Sequence, residues 1–245
     1  MSNYVLIHGA WHGAWCWYKM LPLLKRVGHD VIAPDLPGLG KDMTPIDQIS
    51  LESWTKGICE IVVAQPNPVV LVGHSRGGMI LSAVAEKCPQ RIARLVYVTA
   101  ALVRDGESLR QLLIEDGTSL ILSNLVIADD GNSSTVKEEA LKAVFYGESP
   151  DEDIALTRLL LRPEPRGPAG TPIHITEENF GSVPRFYIEC LRDKAIPHSL
   201  QKKMYSALPC QKVMTIDTDH SPFFSAPRRL AECLLSLDPQ LGNAA

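Results

Sequence analysis

Val69-Val70-Leu71-Val72-Gly73-His74-Ser75-Arg76-Gly77-Gly78 is the stretch on which the chain's reading turns. An apolar, β-branched run ends abruptly in a serine framed by glycines. Gly77, Gly78, Met79, Ile80, Leu81, Ser82 and Ala83 then read as the start of a helix. Strand, tight turn and helix form the setting that a Gly-x-Ser-x-Gly nucleophile elbow needs. In such a turn the serine hydroxyl projects above the sheet. Gly73 and Gly77 remove β-carbons that would collide with neighbouring backbone. Ser75 also falls at a helix N-terminus, where free N–H groups favour developing negative charge. The five-residue pattern alone is weak, because Gly and Ser are common, and the bland alternative is a turn without chemistry. The flanking strand and helix favour the nucleophile.

Outward from the elbow, the same alternation repeats. Asn3 to His8 reads as a strand, His8 to Gly13 as a turn, and Trp15 to Arg26 as a helix closed by Gly28. Asp30 to Pro34 is a second strand. Ser50 or Ser53 caps a helix reaching about Ala64. Pro66-Asn67-Pro68 breaks the chain before the elbow strand, Pro89 closes the elbow helix, and Arg94 to Thr99 is the next strand. The strands are continuously apolar, which marks a parallel sheet covered on both faces. The fold class is therefore α/β, with a mostly parallel sheet flanked by helices. Sites in such sheets form at the carboxyl ends of strands, where His8, Ser75 and Thr99 fall.

After Ala101 the pattern changes. Amphipathic pieces at Leu109 to Ile114, Ser119 to Ile127, Val136 to Phe145 and Asp151 to Leu161 precede a Pro/Gly-rich loop from Pro163 to Pro172. This predicts a core of residues 1–102 and 185–245, with 103–184 inserted as a mainly helical cap over the active edge. The core resumes with a strand at Arg185 to Cys190, a helix at Ser199 to Leu208, a last strand at Lys212 to Ile216 and a last helix at Ala226 to Leu237.

The length of 245 residues suits one α/β domain. A net charge of -4 without a basic block argues against nucleic acid as a partner. No apolar run is long enough to span a membrane, and the first strand begins too early for a signal peptide. The six cysteines are scattered, without Cys-x-x-Cys pairs or clustered histidines. Neither a metal site nor a disulfide framework is expected, and the default compartment is the cytoplasm.

A serine nucleophile needs a base. Among the seven histidines, His220 follows the last strand in Asp217-Thr218-Asp219-His220-Ser221-Pro222 and so reaches the active edge. His74 adjoins the nucleophile and is expected to point away. His8 and His12 flank the first turn and shape the pocket or bond locally. The base needs an acid to orient it. Asp193, past the strand Arg185 to Cys190, is favoured; Asp105 is the rival, while Asp217 and Asp219 are too near His220 in sequence to reach its ring. The order serine, acid, histidine results. An oxyanion hole needs two backbone donors, and the amides of Arg76 and Ala10 are the candidates. Trp11 and Leu102, next to these strand ends, are the candidate substrate-binding residues.

These residues resemble the plant methylesterase and hydroxynitrile lyase branch of the α/β-hydrolases, with its bacterial esterase relatives, over essentially the whole length. His8-Gly9-Ala10-Trp11-His12-Gly13-Ala14-Trp15 resembles the family's opening. Phe180-Gly181-Ser182-Val183, Tyr187-Ile188 and Asp193-Lys194-Ala195-Ile196-Pro197 resemble its post-cap strand and acid loop, and Asp219-His220 its histidine loop. The resemblance implies a cofactor-free hydrolase with Ser75, Asp193 and His220 as triad, an apolar pocket under a cap, and frequent homodimers. Arg76 departs from the small or apolar residue usual after the serine. Ala128 to Ser134 and Arg166 to Gly170 match nothing familiar.

The expected activity is hydrolysis of small, largely apolar carboxylic esters through an acyl-enzyme. The alternatives are cyanohydrin cleavage, or a small-molecule receptor on the same fold. The resembling lyases carry a lysine after the catalytic histidine and a glutamate before the nucleophile, where this chain has Ser221 and His74. They carry threonine, or in other lyases asparagine, at the position of Gly9.

Overall fold

The computed structural model describes residues 1–238. Its strands are Asn3–Ile7 (β1), Asp30–Ile32 (β2), Val69–His74 (β3), Ile92–Val98 (β4), Leu125–Ile127 (β5), Ser133–Val136 (β6), Glu164–Pro165 (β7), Arg185–Cys190 (β8) and Lys212–Ile216 (β9). Six of them form one sheet in the order β2-β1-β3-β4-β8-β9. Every pairing in it is parallel. The inner strands β1 and β3 are buried along their whole length. A strand covered on both faces has no polar side to show, which is why these runs do not alternate.

The helices are Met20–Lys25 (α1), Leu51–Val63 (α2), Gly77–Lys87 (α3), Leu109–Asp116 (α4), Leu141–Phe145 (α5), Asp151–Leu160 (α6), Arg166–Gly170 (α7), His198–Ala207 (α8), Pro222–Ser225 (α9) and Pro227–Ser236 (α10). Ser50 caps α2 through a reciprocal pair: its side chain accepts from the Ser53 amide, and Ser53 Oγ accepts from the Ser50 amide, both at 3.0 Å. The expected helix from Trp15 to Arg26 is instead a 3-10 turn, Ala14–Trp17, followed by the short α1.

Helix α3 lies against the ends of β1 and β4, and its first turn has no room for side chains. A β-carbon on Gly78 would stand 2.3 Å from the carbonyl oxygen of Ala101, and one on Gly77 3.1 Å from those of Ile7 and His8. Gly78→Ala is expected to cost about 1–3 kcal/mol, because backbone must shift to admit the methyl. Denaturant unfolding measures this, and an unchanged midpoint would show that the contact yields freely.

The segment 103–184 carries α4 to α7, but also an antiparallel sheet in the order β5-β6-β7. Three sequence expectations therefore change. Ser119 to Ile127 is not a helix: only Leu122–Asn124 winds, as a 3-10 turn, before β5. Val136 to Phe145 is split between the end of β6, the 3-10 turn Glu138–Ala140 and α5. The Pro/Gly-rich stretch holds β7 and α7. Among the described residues, no helix is long and apolar enough to cross a membrane.

Among the described residues, three non-glycine residues have positive φ: Trp11 at 62°, Ser75 at 54° and Thr99 at 37°. They follow the ends of β1, β3 and β4, which are neighbours in the sheet. Left-handed backbone costs non-glycine residues of order 1–3 kcal/mol each, and such strain concentrates where geometry is functional.

Candidate active site

Ser75 sits in the turn between β3 and α3. Its carbonyl accepts from the amides of Ala101 at 2.9 Å and Gly78 at 3.1 Å, and its own amide donates to Val98 at 3.3 Å. These bonds hold the left-handed conformation in place. The side chain borders a cavity of about 300 Å³.

His220 lies on the loop between β9 and α9. Its Nδ1 donates to Asp193 Oδ2 at 2.6 Å. Both residues are buried. The Asp193 carboxylate is saturated: Oδ1 accepts from the amides of Ala195 at 2.7 Å and Ile196 at 2.9 Å, and Oδ2 also accepts from the Thr99 hydroxyl. With its proton held at Nδ1, the ring presents a bare Nε2, the form that can take a proton. Among the described residues, no hydrogen bond joins the Ser75 hydroxyl to this ring. Asp105 is exposed and accepts from the Ile175 amide at 3.0 Å, away from His220. Asp217 pairs with Arg192 at 3.0 Å. Asp219 holds the histidine loop to the insert, accepting from the amides of Ser221 at 3.0 Å and Glu148 at 2.8 Å.

Three other histidines are buried nearby and held neutral. Burial pushes His8 down to about 3 and His12 down to about 4, assisted in both by the Arg76 charge. Burial, with the charges of His220 and His12 behind it, takes His74 well below its ordinary value. His74 does turn away from the cavity, but into a supporting position. Its Nε2 donates to the carbonyl of His220 at 2.7 Å. His12 Nδ1 donates to the Ala10 carbonyl at 2.7 Å, and its Nε2 accepts from the Tyr146 hydroxyl at 2.8 Å.

The turn after β1 is fixed from both sides. Gly9 must be a glycine, because a β-carbon there would lie 2.8 Å from His74 Nδ1 and 3.0 Å from Ser75 Cβ. The Trp11 amide donates to Glu164 Oε2 at 2.9 Å, its indole N–H donates to the Ser134 carbonyl at 2.9 Å, and its carbonyl accepts from the Arg162 amide at 3.0 Å. Arg76 is buried, with Nε 2.5 Å from Glu164 Oε1 and the guanidinium carbon 4.1 Å over the Trp54 ring. Burial lowers the Arg76 pKa and raises that of Glu164, and for the carboxyl the partner's charge works against the shift. Among the described residues, no hydrogen bond engages the amides of Ala10 or Arg76.

The cavity is closed by Leu109, Leu113, Ile121, Leu122 and Leu125 of the insert, with Ala10, Trp11 and Arg76 on the core side. Leu102 is a correction: it is absent from this wall. The chain turns under the elbow at Ala101, and Leu102 is buried beside Met204, bordering a different cavity. Glu164 escapes the sequence reading altogether. The one available cue is Arg76 itself, since a buried arginine calls for a carboxylate.

Residues 4–233 match the family described as the alpha/beta hydrolase family. The chain is 35% identical over 251 residues to methylesterase 1 of Arabidopsis thaliana, covering 96% of this chain and 95% of that one. It is likewise 35% identical over 248 residues to a chloroplastic protein of the same plant named as methylesterase 11. That match takes in 96% of this chain but spans only 64% of the longer relative. Among solved structures, polyneuridine aldehyde esterase superposes with a TM-score of 0.90 at 30% identity, covering 97% of this chain and 99% of that one. The chain belongs to the α/β-hydrolase family, in its plant methylesterase-like branch.

Proposed function

We propose that the protein is a serine carboxylesterase for small, largely apolar esters. The observation that carries this reading is a strained serine on the wall of a largely apolar cavity, whose preceding residue, His74, bonds to a buried histidine already oriented by a carboxylate. The relatives named as esterases support it. In the proposed reaction Ser75 attacks the ester carbonyl while His220 Nε2 takes its proton. Asp193 stabilises the imidazolium that forms. The tetrahedral oxyanion lies on the amides of Ala10 and Arg76. His220 returns its proton to the departing alcohol, and water then cleaves the acyl-enzyme by the same route. A serine–histidine bond often tightens only once substrate is bound. The insert acts as the cap, and its leucines and isoleucines set the preference for apolar acyl groups.

Cyanohydrin cleavage is disfavoured by a specific contact. The branch's lyases hold the cyanohydrin hydroxyl with a side chain at the position of Gly9, and here a β-carbon at that position would lie 2.8 Å from Nδ1 of His74, the residue before the nucleophile, so the His74 ring would have to shift. Ser221 supplies no cation for departing cyanide. The test is turnover of methyl and p-nitrophenyl esters of graded acyl size beside mandelonitrile, with Ser75→Ala as control. Ready, Ser75-dependent ester hydrolysis with negligible cyanide release is expected. Ser75-dependent cyanide release with feeble ester hydrolysis would overturn the reading, and tight binding without turnover would favour the receptor.

A further inference from the structure

We propose that the Arg76 guanidinium, held in place by Glu164, aims and polarises the Gly9–Ala10 peptide as an oxyanion donor. This rests on the reading of Ala10 as part of the oxyanion hole and says what sets that amide's direction and strength.

A peptide unit is planar and trans, so its C=O and N–H point in opposite directions. Fixing the carbonyl of Gly9 therefore fixes the N–H of Ala10. That carbonyl accepts two bonds: one from His8 Nδ1 at 2.8 Å, and one from Arg76 Nη2 at 3.1 Å. His8 is itself pinned, because its Nε2 accepts from the Leu36 amide at 3.1 Å. The second bond is charge-assisted, and it lies in a site shielded from water. A cation on the carbonyl draws electron density through the peptide and makes its N–H a stronger donor.

Glu164 completes the arrangement. One oxygen lies against Arg76 Nε and the other accepts from the Trp11 amide, so the ion pair grips both residues flanking Ala10. Glu164 belongs to β7, in the insert. Seating of the insert and alignment of the donor are then a single event. Arg76 gives the site its own amide directly and reaches Ala10 through its side chain. An apolar residue after the nucleophile would supply only the first.

Arg76→Leu alone would strand a buried carboxylate, so the informative variant is Arg76→Leu/Glu164→Leu. Replacing both members of a buried pair by apolar groups commonly preserves stability. Four constants are measured: kcat and KM on a methyl ester, the inhibition constant of a trifluoromethyl ketone that forms a tetrahedral adduct with serine, and that of the matching methyl ketone. Removing an oxyanion donor outright costs about 100- to 1,000-fold. Misaiming one is expected to lower kcat about tenfold, to weaken the trifluoromethyl ketone by the same factor, and to leave KM and the methyl ketone unchanged. Glu164→Gln keeps an acceptor for Trp11 while removing the charge, and should show the same split to a smaller degree; it carries the test if the double variant does not fold. Unchanged kcat and trifluoromethyl ketone affinity in a folded variant would reduce the pair to a structural tie. So would parallel loss of all four constants. Ser75→Ala, run alongside, separates the two levels. If it leaves turnover intact, the esterase reading falls and takes this proposal with it. If it abolishes turnover while the pair's removal leaves kcat intact, only this proposal falls.

Discussion

Ser75→Ala and His220→Ala are each expected to lower ester turnover by about 10⁴- to 10⁶-fold, and the double variant to lose little more. The reason is chemical. A serine hydroxyl is a poor nucleophile at neutral pH, and the histidine has no task without a hydroxyl to deprotonate. Removing either half removes the whole function, so the second substitution finds nothing left to damage. The residual rate comes from groups neither change touches: the amides of Ala10 and Arg76 and the cavity wall. Both variants should fold. Ser75 contributes only a small side chain at a strained φ of 54°. His220 is held through its backbone by His74 as well as through its ring. Single-turnover kinetics of the four proteins close the cycle. Losses that multiply would mean the two residues do not share a step. A serine-directed phosphonate gives a second readout, and its attachment to a cysteine in place of Ser75 would overturn the assignment.

The elbow is legible in the sequence because several local constraints coincide there. A buried strand, a helix and close backbone contacts all require small residues at fixed positions, as the space around Gly73, Gly77 and Gly78 bears out. The core strands are legible for a related reason, since burial on both faces leaves only apolar side chains. The insert is harder. Strands β5, β6 and β7 are two to four residues long, too short for a period to emerge. One cue was available: Asp130-Gly131 is a hairpin dipeptide, and Gly131 adopts a φ of 72° between β5 and β6. Glu164 lies between Pro163 and Pro165, so it reads as loop, and nothing local distinguishes it among 28 acidic residues as the partner of Arg76. Leu102 shows another limit. Its place just past a strand end is readable, but the side on which it emerges depends on the Ala101 amide bonding to the Ser75 carbonyl.

Asp193→Asn is expected to lower kcat by about 10⁴-fold, whereas Asp105→Asn should leave it within a factor of two. The hydrogen-bond pattern around the carboxylate explains the size of the effect. Two backbone amides, those of Ala195 and Ile196, donate to Oδ1. Backbone donors cannot become acceptors, so an asparagine must place its carbonyl oxygen there. Its NH₂ group then faces the Thr99 hydroxyl and the His220 ring. The hydroxyl can rotate and accept. The imidazole must also accept at Nδ1, which forces its proton onto Nε2. That is the nitrogen required to take the proton of Ser75, so the variant holds a well-placed histidine in the wrong tautomer. It also loses the negative charge that stabilises the imidazolium. Protein stability should change far less than activity, because packing and most hydrogen bonds survive. Nitrogen-15 NMR of the labelled histidines reads the tautomer directly: the proton is expected on Nδ1 in the parent and on Nε2 in the variant. Asp105 makes its bond to Ile175 at the protein surface and has no path to the ring. An Asp193→Asn enzyme retaining a tenth of the parent's kcat, or an Asp105→Asn enzyme losing as much as Asp193→Asn, would show that another group orients His220.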